Sequence, residues 1–294
     1  MRARASTSRL NVRKTYKLYI GGEFPRTESG RSYPVQNAKG ALVANACLGS
    51  RKDVRNAVVA ARKALAGWSG KTAYNRGQVL YRIAEVCESR ASELENELRQ
   101  MGASKGEATK EVERTIDRWV YYAGWCDKFA QILGCANPVA GPYYNFSVPE
   151  PTGVAGIVAP DAMPLLGFVS RVAPAIAGGN TVVAIPSEPR PLASITMSEI
   201  LATSDVPGGV VNVITGKKDE LIPWLASHMD VNAIDCTGVA PDLLAKVQEL
   251  AAENVKRVVG GPEGVRAIDS DQGQSLYAIS DFLEIKTVWH PTGI

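Results

Sequence analysis

The chain has 294 residues, of which 45% are hydrophobic and 21% charged, so it is long and apolar enough to bury a large core. Its 33 basic and 30 acidic residues leave a net charge of +3, which argues against a nucleic-acid-binding protein. The absence of any run of about 18 apolar residues argues against a membrane span. Five scattered cysteines without a CxxC pair, and only two histidines, predict no metal site and indicate reduced thiols in a cytoplasmic protein.

The first fourteen residues contain five basic and no acidic side chains. This composition predicts a disordered basic tail over residues 1–14, with a targeting segment as the alternative. Residues 16–24 then predict two short strands joined by a turn at Gly21 and Gly22. Loop-rich and β-rich sequence continues to Gly49.

Apolar residues at helical spacing predict three helices in the next part of the chain. The first covers residues 51–66 and begins with a capping-box pattern, in which Ser50 precedes Asp53 by three residues. The second covers residues 75–101, and the third covers residues 107–133.

The pattern changes at Gly141. Residues 141–153 read GPYYNFSVPEPTG, and prolines among strand-forming residues favour a projecting ribbon over a central strand. Afterwards short apolar runs alternate with helical segments, which predicts an α/β fold with a parallel, doubly wound sheet. The predicted strands are 154–159, 181–185, 210–215, 231–235 and 255–259, with helices at 165–177, 191–203, 220–228 and 241–253. A last strand is predicted at 282–289.

Several segments, in order along the chain, resemble the aldehyde dehydrogenase superfamily. They include YIGGEF (19–24), EPTGVAGIVAP (150–160), APAIAGGNTVVAIPSE (173–188), DVPGGVVNVITG (205–216) and SHMDV (227–231). The run PLLGFVSRVAPAIAGGN (164–180) is similar to the second, degenerate module of the two-module aldehyde dehydrogenases. The chain therefore resembles a truncated and degenerate form of that module.

The resemblance implies a Rossmann-like coenzyme domain with a helical N-terminal part and a small β oligomerisation element. Residues 15–140 and 154–262 would form the coenzyme-binding-like domain, and residues 141–153 and 276–294 the oligomerisation ribbon and C-terminal strand. Family members carry a further catalytic domain of about 200 residues after the segment that matches NVKRVVGG (254–261). Here about twenty residues separate Gly261 from FLEIKTVW (282–289), so we expect the catalytic domain to be absent.

The resemblance also predicts that this chain has no catalytic residues. The family's nucleophilic cysteine would lie in the absent segment, and no cysteine follows Cys236. Val258 and Val259 stand where the family has its glutamate base, and Ala162 replaces the asparagine that helps to hold the oxyanion. Neither a valine nor an alanine side chain can take over a proton transfer or a hydrogen bond.

The residues that the resemblance assigns to coenzyme binding are partly retained: Pro186, Ser187, Glu188, Gly216, Thr237 and Gly238. Ile185 replaces the family's ribose-binding lysine, and Ile222 would crowd the approach of a pyrophosphate, although Lys217 and Lys218 could still attract an anion. We therefore expect NAD or NADP to bind weakly. In the favoured alternative, the retained glycines and threonine only terminate strands.

Three functions follow from this pattern. The leading hypothesis is a non-catalytic pseudoenzyme subunit that assembles with, and stabilises or regulates, a catalytic aldehyde dehydrogenase. The alternatives are an NAD(P)-dependent aldehyde dehydrogenase, active alone or with a partner, and a dinucleotide-binding sensor. The expected partner is a full-length aldehyde dehydrogenase subunit or a second copy of this chain, bound through residues 141–153 and 282–289.

Overall fold

The computed structural model describes residues 12–270 and 273–293. The predicted tail falls mostly outside this part of the chain, since only its residues 12–14 are described. Strand β1 (Thr15–Tyr16) pairs in parallel with β3 (Leu42–Cys47), which pairs antiparallel with β2 (Ser32–Gln36).

The turn at Gly21 and Gly22 is present, and both residues have positive φ, at 64° and 89°. The strands predicted on either side of it are shorter than expected and consist of isolated bridges. Ile20 and Glu23 exchange both backbone hydrogen bonds across the turn, as in a tight hairpin, and Tyr19 exchanges backbone hydrogen bonds with Val213, which joins this segment to the central sheet.

The helical part contains five helices where the sequence predicts three. The first, α1 (Arg51–Ser69), begins at the predicted capping box. The second prediction divides at Arg90 into α2 (Ala73–Ser89) and α3 (Ala91–Gln100), and the third divides into α4 (Lys105–Trp125) and α5 (Phe129–Leu133). An unbroken helix over 75–101 would be about 40 Å long. The break lets the buried α3 residues Leu94 and Leu98 join the core cluster that α2 and α4 share.

The central sheet has five parallel strands in the order β10–β9–β6–β7–β8. They are β6 (Val154–Val158), β7 (Thr181–Ile185), β8 (Val211–Val213), β9 (Ala233–Asp235) and β10 (Arg257–Val259). The chain runs outward from β6 to β8 and then returns to β9 on the other side of β6. This reversal places the topological switch point between β6 and β9.

The crossover helices are α6 (Leu166–Ala177), α7 (Leu192–Ala202), α8 (Lys218–Ala226) and α9 (Pro241–Ala252). All predicted strands and helices of this region agree with the structure to within two residues at each end. Two core clusters cover the two faces of the sheet, one built with α2, α3, α4, α6 and α7 and the other with α1, α8 and α9. Every residue of β6 and β7 is buried, as expected for a parallel sheet covered on both faces. No helix of the described residues is long and apolar enough to cross a membrane.

The predicted ribbon and last strand pair with each other in a second, antiparallel sheet. Its strands are β4 (Cys135–Asn137), β5 (Tyr143–Pro151) and β11 (Leu283–Pro291), in the order β11–β5–β4. Between β10 and β11 the chain forms a 3-10 helix (Pro262–Ala267) and a short helix, α10 (Tyr277–Ser280).

The register of β5 and β11 explains how the prolines fit into this sheet. Thr152 donates to the carbonyl of Phe282 at 3.1 Å, and Thr292 donates to that of Pro142 at 2.9 Å, one pair at each end of the ladder. Because hydrogen-bonded pairs alternate in an antiparallel ladder, Pro149 and Pro151 occupy non-hydrogen-bonded positions opposite Ile285 and Leu283. Neither proline therefore costs the ladder a hydrogen bond.

Candidate functional site

A cavity of about 740 Å³ opens at the carboxyl edge of the central sheet. It is lined by the segments that follow β6 and β9, by the turn after β7 and by the first turns of α8 and α9. This is the edge at which open α/β sheets bind ligands, beside the switch point. The cavity is therefore the candidate ligand site of the described residues.

The structure brings three of the six predicted coenzyme residues to this cavity, namely Glu188, Thr237 and Gly238. Pro186, Ser187 and Gly216 lie outside its lining. Ser187 is fully buried, and its hydroxyl accepts a hydrogen bond from the Arg190 amide at 3.2 Å. A Cβ atom on Gly216 would come within 2.9 Å of the Leu221 side chain, so this glycine permits close packing.

The Glu188 carboxylate already has partners inside the protein. One oxygen lies 2.5 Å from the Lys217 ammonium, and the other accepts the Lys218 amide at 2.9 Å, at the N-terminus of α8. Hydrogen bonding to Glu188 raises the pKa of Lys217. The carboxylate thus occupies the electropositive end of the helix, where a bound anion would otherwise be favoured.

The Lys218 side chain lies across the switch point. Its ammonium nitrogen is 2.7 Å from the carbonyl oxygen of Ala159, which follows β6, and 3.3 Å from that of Gly238, which follows β9. It also forms an ion pair with Asp161 at 2.9 Å. Each of the two ammonium groups that the sequence offers for an anion is therefore already paired with a carboxylate of this chain.

The charge of the cavity lining disfavours an anionic ligand. Carboxylates outnumber ammonium groups by five to two, the carboxylates being Asp161, Glu188, Asp219, Glu220 and Asp242. A pyrophosphate would enter a site whose net charge has the same sign as its own, which costs binding free energy.

A buried ion pair beneath the site was not predicted from the sequence. Asp235, at the end of β9, is fully buried and accepts hydrogen bonds from Arg171 of α6 at 2.6 Å and from the Thr237 amide at 3.0 Å. Burial lowers the pKa of Arg171, but Asp235 and Asp281 raise it more, so the guanidinium stays charged. Because its partners are 64 residues apart, no local spacing in the sequence reveals the pair.

Three of the buried thiols are not activated. Cys236 directly precedes Thr237 but is fully buried, and burial raises its pKa to about 12. Burial raises the pKa of Cys87 and of Cys126 to about 12 as well. These thiols stay protonated at neutral pH, whereas a nucleophilic cysteine needs a lowered pKa. Ala162 lies on the cavity lining, and its methyl group donates no hydrogen bond.

The segment between β10 and β11 is bound to the surface of α4. Asp269 forms ion pairs with Lys110 at 2.9 Å and with Arg114 at 2.6 Å. The buried Arg118 donates to the carbonyl oxygens of Ile268 at 3.1 Å and Gly273 at 2.6 Å. These contacts hold the short connection close to the coenzyme-binding-like fold.

Residues 25–266 match the model of the aldehyde dehydrogenase family, so the chain belongs to this family. It is 34% identical over 249 residues to the putative aldehyde dehydrogenase DhaS of Bacillus subtilis, covering 83% of this chain and 50% of that protein. It is 35% identical over 260 residues to human retinal dehydrogenase 2, covering 86% and 49%. Mouse cytosolic 10-formyltetrahydrofolate dehydrogenase is 34% identical over 262 residues, covering 86% of this chain and 29% of that protein.

Solved structures agree with this assignment. PnpE from Pseudomonas sp. WBC-3 has a TM-score of 0.79 and 30% identity, covering 84% of this chain and 50% of that chain. The NAD+ complex of an aldehyde dehydrogenase from Bacillus cereus has a TM-score of 0.78 and 27% identity, with the same coverage. The resemblance found in the sequence is confirmed, and the chain spans half or less of the length of these relatives.

Proposed function

We propose that this chain is a non-catalytic aldehyde-dehydrogenase-like subunit that assembles with a full-length aldehyde dehydrogenase subunit and stabilises or regulates it. The observation that carries the proposal is that β11 pairs with β5, although only a short segment connects β10 to β11. The retained ribbon sheet keeps its family-like strands, while about twenty residues stand in place of the family's catalytic domain.

The edge of β11 supports assembly by strand addition. The backbone amides of the even-numbered residues of β11 form the hydrogen bonds to β5. The amides of Ile285, Thr287 and Trp289 therefore face away from the sheet. The side chains of Ile285 and Trp289 are 55% and 60% exposed. A long edge strand with apolar side chains is an aggregation hazard unless another chain covers it. A strand from a partner's catalytic domain would cover it by β-augmentation.

The chemistry of the candidate site supports a non-catalytic role. The positions that the family resemblance assigns to the base and the oxyanion donor hold valines and Ala162, and the buried Cys236 thiol is protonated at neutral pH. The six proposed coenzyme residues are divided between the cavity lining and the core, which supports weak NAD or NADP binding. All five cysteines are free, which supports a location in the reducing cytoplasm.

A proline substitution at the free edge tests the assembly. Ile285→Pro removes an amide that faces away from β5 and lies opposite Pro149, so the internal ladder keeps its hydrogen bonds. Ile285→Thr is the matched control, because it also removes the apolar side chain but keeps the amide. With a co-expressed full-length aldehyde dehydrogenase from the same organism, we expect the wild type and Ile285→Thr to co-purify and Ile285→Pro to fail.

Equal capture of the partner by all three proteins would contradict assembly through β11. The wild type could instead form a stable homodimer and capture no full-length subunit. That result would show that the partner is a second copy of this chain and would contradict the proposed heteromeric assembly. Circular dichroism of each variant confirms that the α/β core remains folded.

An NAD(P)-dependent aldehyde dehydrogenase remains the second candidate, because the family match itself favours it. The purified chain, with NAD or NADP and short aldehydes, is expected to show no turnover. Loss of one oxyanion donor alone costs about 100- to 1,000-fold in turnover. Turnover that disappears when one cysteine is replaced by serine would establish the enzyme and overturn the non-catalytic role.

A further inference from the structure

The crevice between β6 and β9 is closed at the point where ligands of open α/β sheets bind. The Gly238 amide donates to the carbonyl oxygen of Val158 at 2.8 Å, which links the two strand ends directly. A Cβ atom built on Gly238 would lie 2.1 Å from the carbonyl oxygen of Ala159, so the two backbones are already in contact. The Lys218 ammonium lies over this contact and bonds to both sides of it.

The ammonium has a complete set of acceptors. It has three N–H donors, and the structure supplies three oxygens, from Ala159, Gly238 and Asp161. The Lys218 side chain is 12% exposed, whereas that of Lys217 is 47% exposed. A ligand that enters the crevice must displace the ammonium and leave these oxygens without their donor, which costs binding free energy.

We propose that Lys218 is an internal occupant of the switch-point crevice and excludes dinucleotides from it. This inference deepens the proposed function, since it assigns the weak coenzyme binding to one residue. The neighbouring Lys217–Glu188 ion pair likewise uses a carboxylate that the family resemblance assigns to coenzyme binding. The polar groups at this end of the cavity are thus bonded to side chains of the chain itself.

Two substitutions separate the volume of the side chain from its hydrogen bonds. Lys218→Ala removes both, and Lys218→Met removes the ammonium but fills much of the same space. Lys246→Ala is the control, because Lys246 is an exposed lysine on α9 whose ammonium forms an ion pair with Glu249 one turn along the helix. NAD+ is the probe, and isothermal titration calorimetry of each full-length protein gives its affinity.

We expect Lys218→Ala to bind NAD+ at least about tenfold more tightly than the wild type and Lys246→Ala to leave the affinity unchanged. If only Lys218→Ala increases the NAD+ affinity, the volume of the side chain excludes the ligand. If Lys218→Met increases the affinity equally, the hydrogen bonds of the ammonium are responsible. No gain in either variant overturns the proposal, as does micromolar binding by the wild type.

A measurement without ligand tests the same contact if a variant fails to fold. Lysine modification by an amine-reactive reagent, followed by mass spectrometry, compares neighbouring side chains in the native wild type. We expect Lys218 to react at least about tenfold more slowly than Lys217, because its ammonium is enclosed by three acceptors. Equal rates would overturn the proposal. Neither experiment depends on a partner, so this inference and the assembly through β11 can fail independently.

Discussion

Arg118 holds the connection between the central sheet and the ribbon sheet, and replacing it tests whether that connection is a bound part of the fold. Its guanidinium is 2% exposed and donates to Ser170 and to the carbonyl oxygens of Ile268 and Gly273. Arg118→Met keeps the apolar stem but leaves these acceptors without donors. Each buried acceptor left unsatisfied costs about 1–3 kcal/mol.

Part of this cost is offset, because burial already disfavours the charged guanidinium and lowers its pKa. We therefore expect Arg118→Met to lower the free energy of unfolding by about 2–4 kcal/mol. Arg114→Met is the control, since Arg114 is 34% exposed and bonds mainly to Asp269, which is 43% exposed. An ion pair of this exposure contributes about 0–1 kcal/mol.

Urea unfolding gives the free-energy differences, and hydrogen exchange followed by mass spectrometry reports residues 262–282. In Arg118→Met, we expect this segment to exchange faster while the central sheet keeps its protection. A free energy of unfolding within about 0.5 kcal/mol of the wild type, with unchanged exchange of the segment, would refute the assigned role of Arg118.

Other substitutions test the site and the packing around it. Arg171→Met should cost about 3–5 kcal/mol by urea unfolding, because it leaves Asp235 charged and buried. Adding Asp235→Asn to that variant should recover at least about 1 kcal/mol, and a purely additive result would contradict the coupling. Glu111→Ala should cost about 2–4 kcal/mol, since the Glu111 carboxylate accepts two backbone amides at the start of α6. Burial raises the pKa of Glu111 above its ordinary value, so the folded protein binds the Glu111 proton more tightly than the unfolded chain does. Protonation of Glu111 therefore stabilises the fold at low pH, and this stabilisation is lost as the pH rises through the folded-state pKa. The wild type should therefore gain stability relative to Glu111→Gln as the pH falls from 7 towards 4.5, and a constant difference would contradict this assignment.

The central sheet could be predicted from the sequence because its signals are local. Strands β6 and β7 are short, mostly apolar runs rich in valine and isoleucine, and glycines and prolines separate them from the crossover helices. The division of the second predicted helix was missed, because no proline or glycine marks Arg90. The break there depends on where α3 packs, and that is a property of the tertiary structure.

The candidate site could be predicted only in part. The family-like positions Glu188, Thr237 and Gly238 do lie on one cavity. Which partners the lining lysines bond to depends on how far a flexible side chain reaches, and the spacing of residues does not encode this. Lys218 therefore reads as an anion-binding lysine in the sequence, while in the structure it bonds to the ends of two strands. The Arg171–Asp235 pair was missed because its partners are 64 residues apart in the sequence.

The most direct test of the assembly is hydrogen exchange at the amides of β11, with and without a full-length aldehyde dehydrogenase subunit. The amides of Ile285, Thr287 and Trp289 face away from β5, whereas those of Lys286 and Val288 pair with it. In the chain alone, we expect the three outward amides to exchange quickly and the two paired amides to be protected. When the partner is added, the outward amides should become protected as well. Outward amides that are unaffected by the partner, or already protected in the chain alone, would contradict assembly with a full-length subunit through this strand.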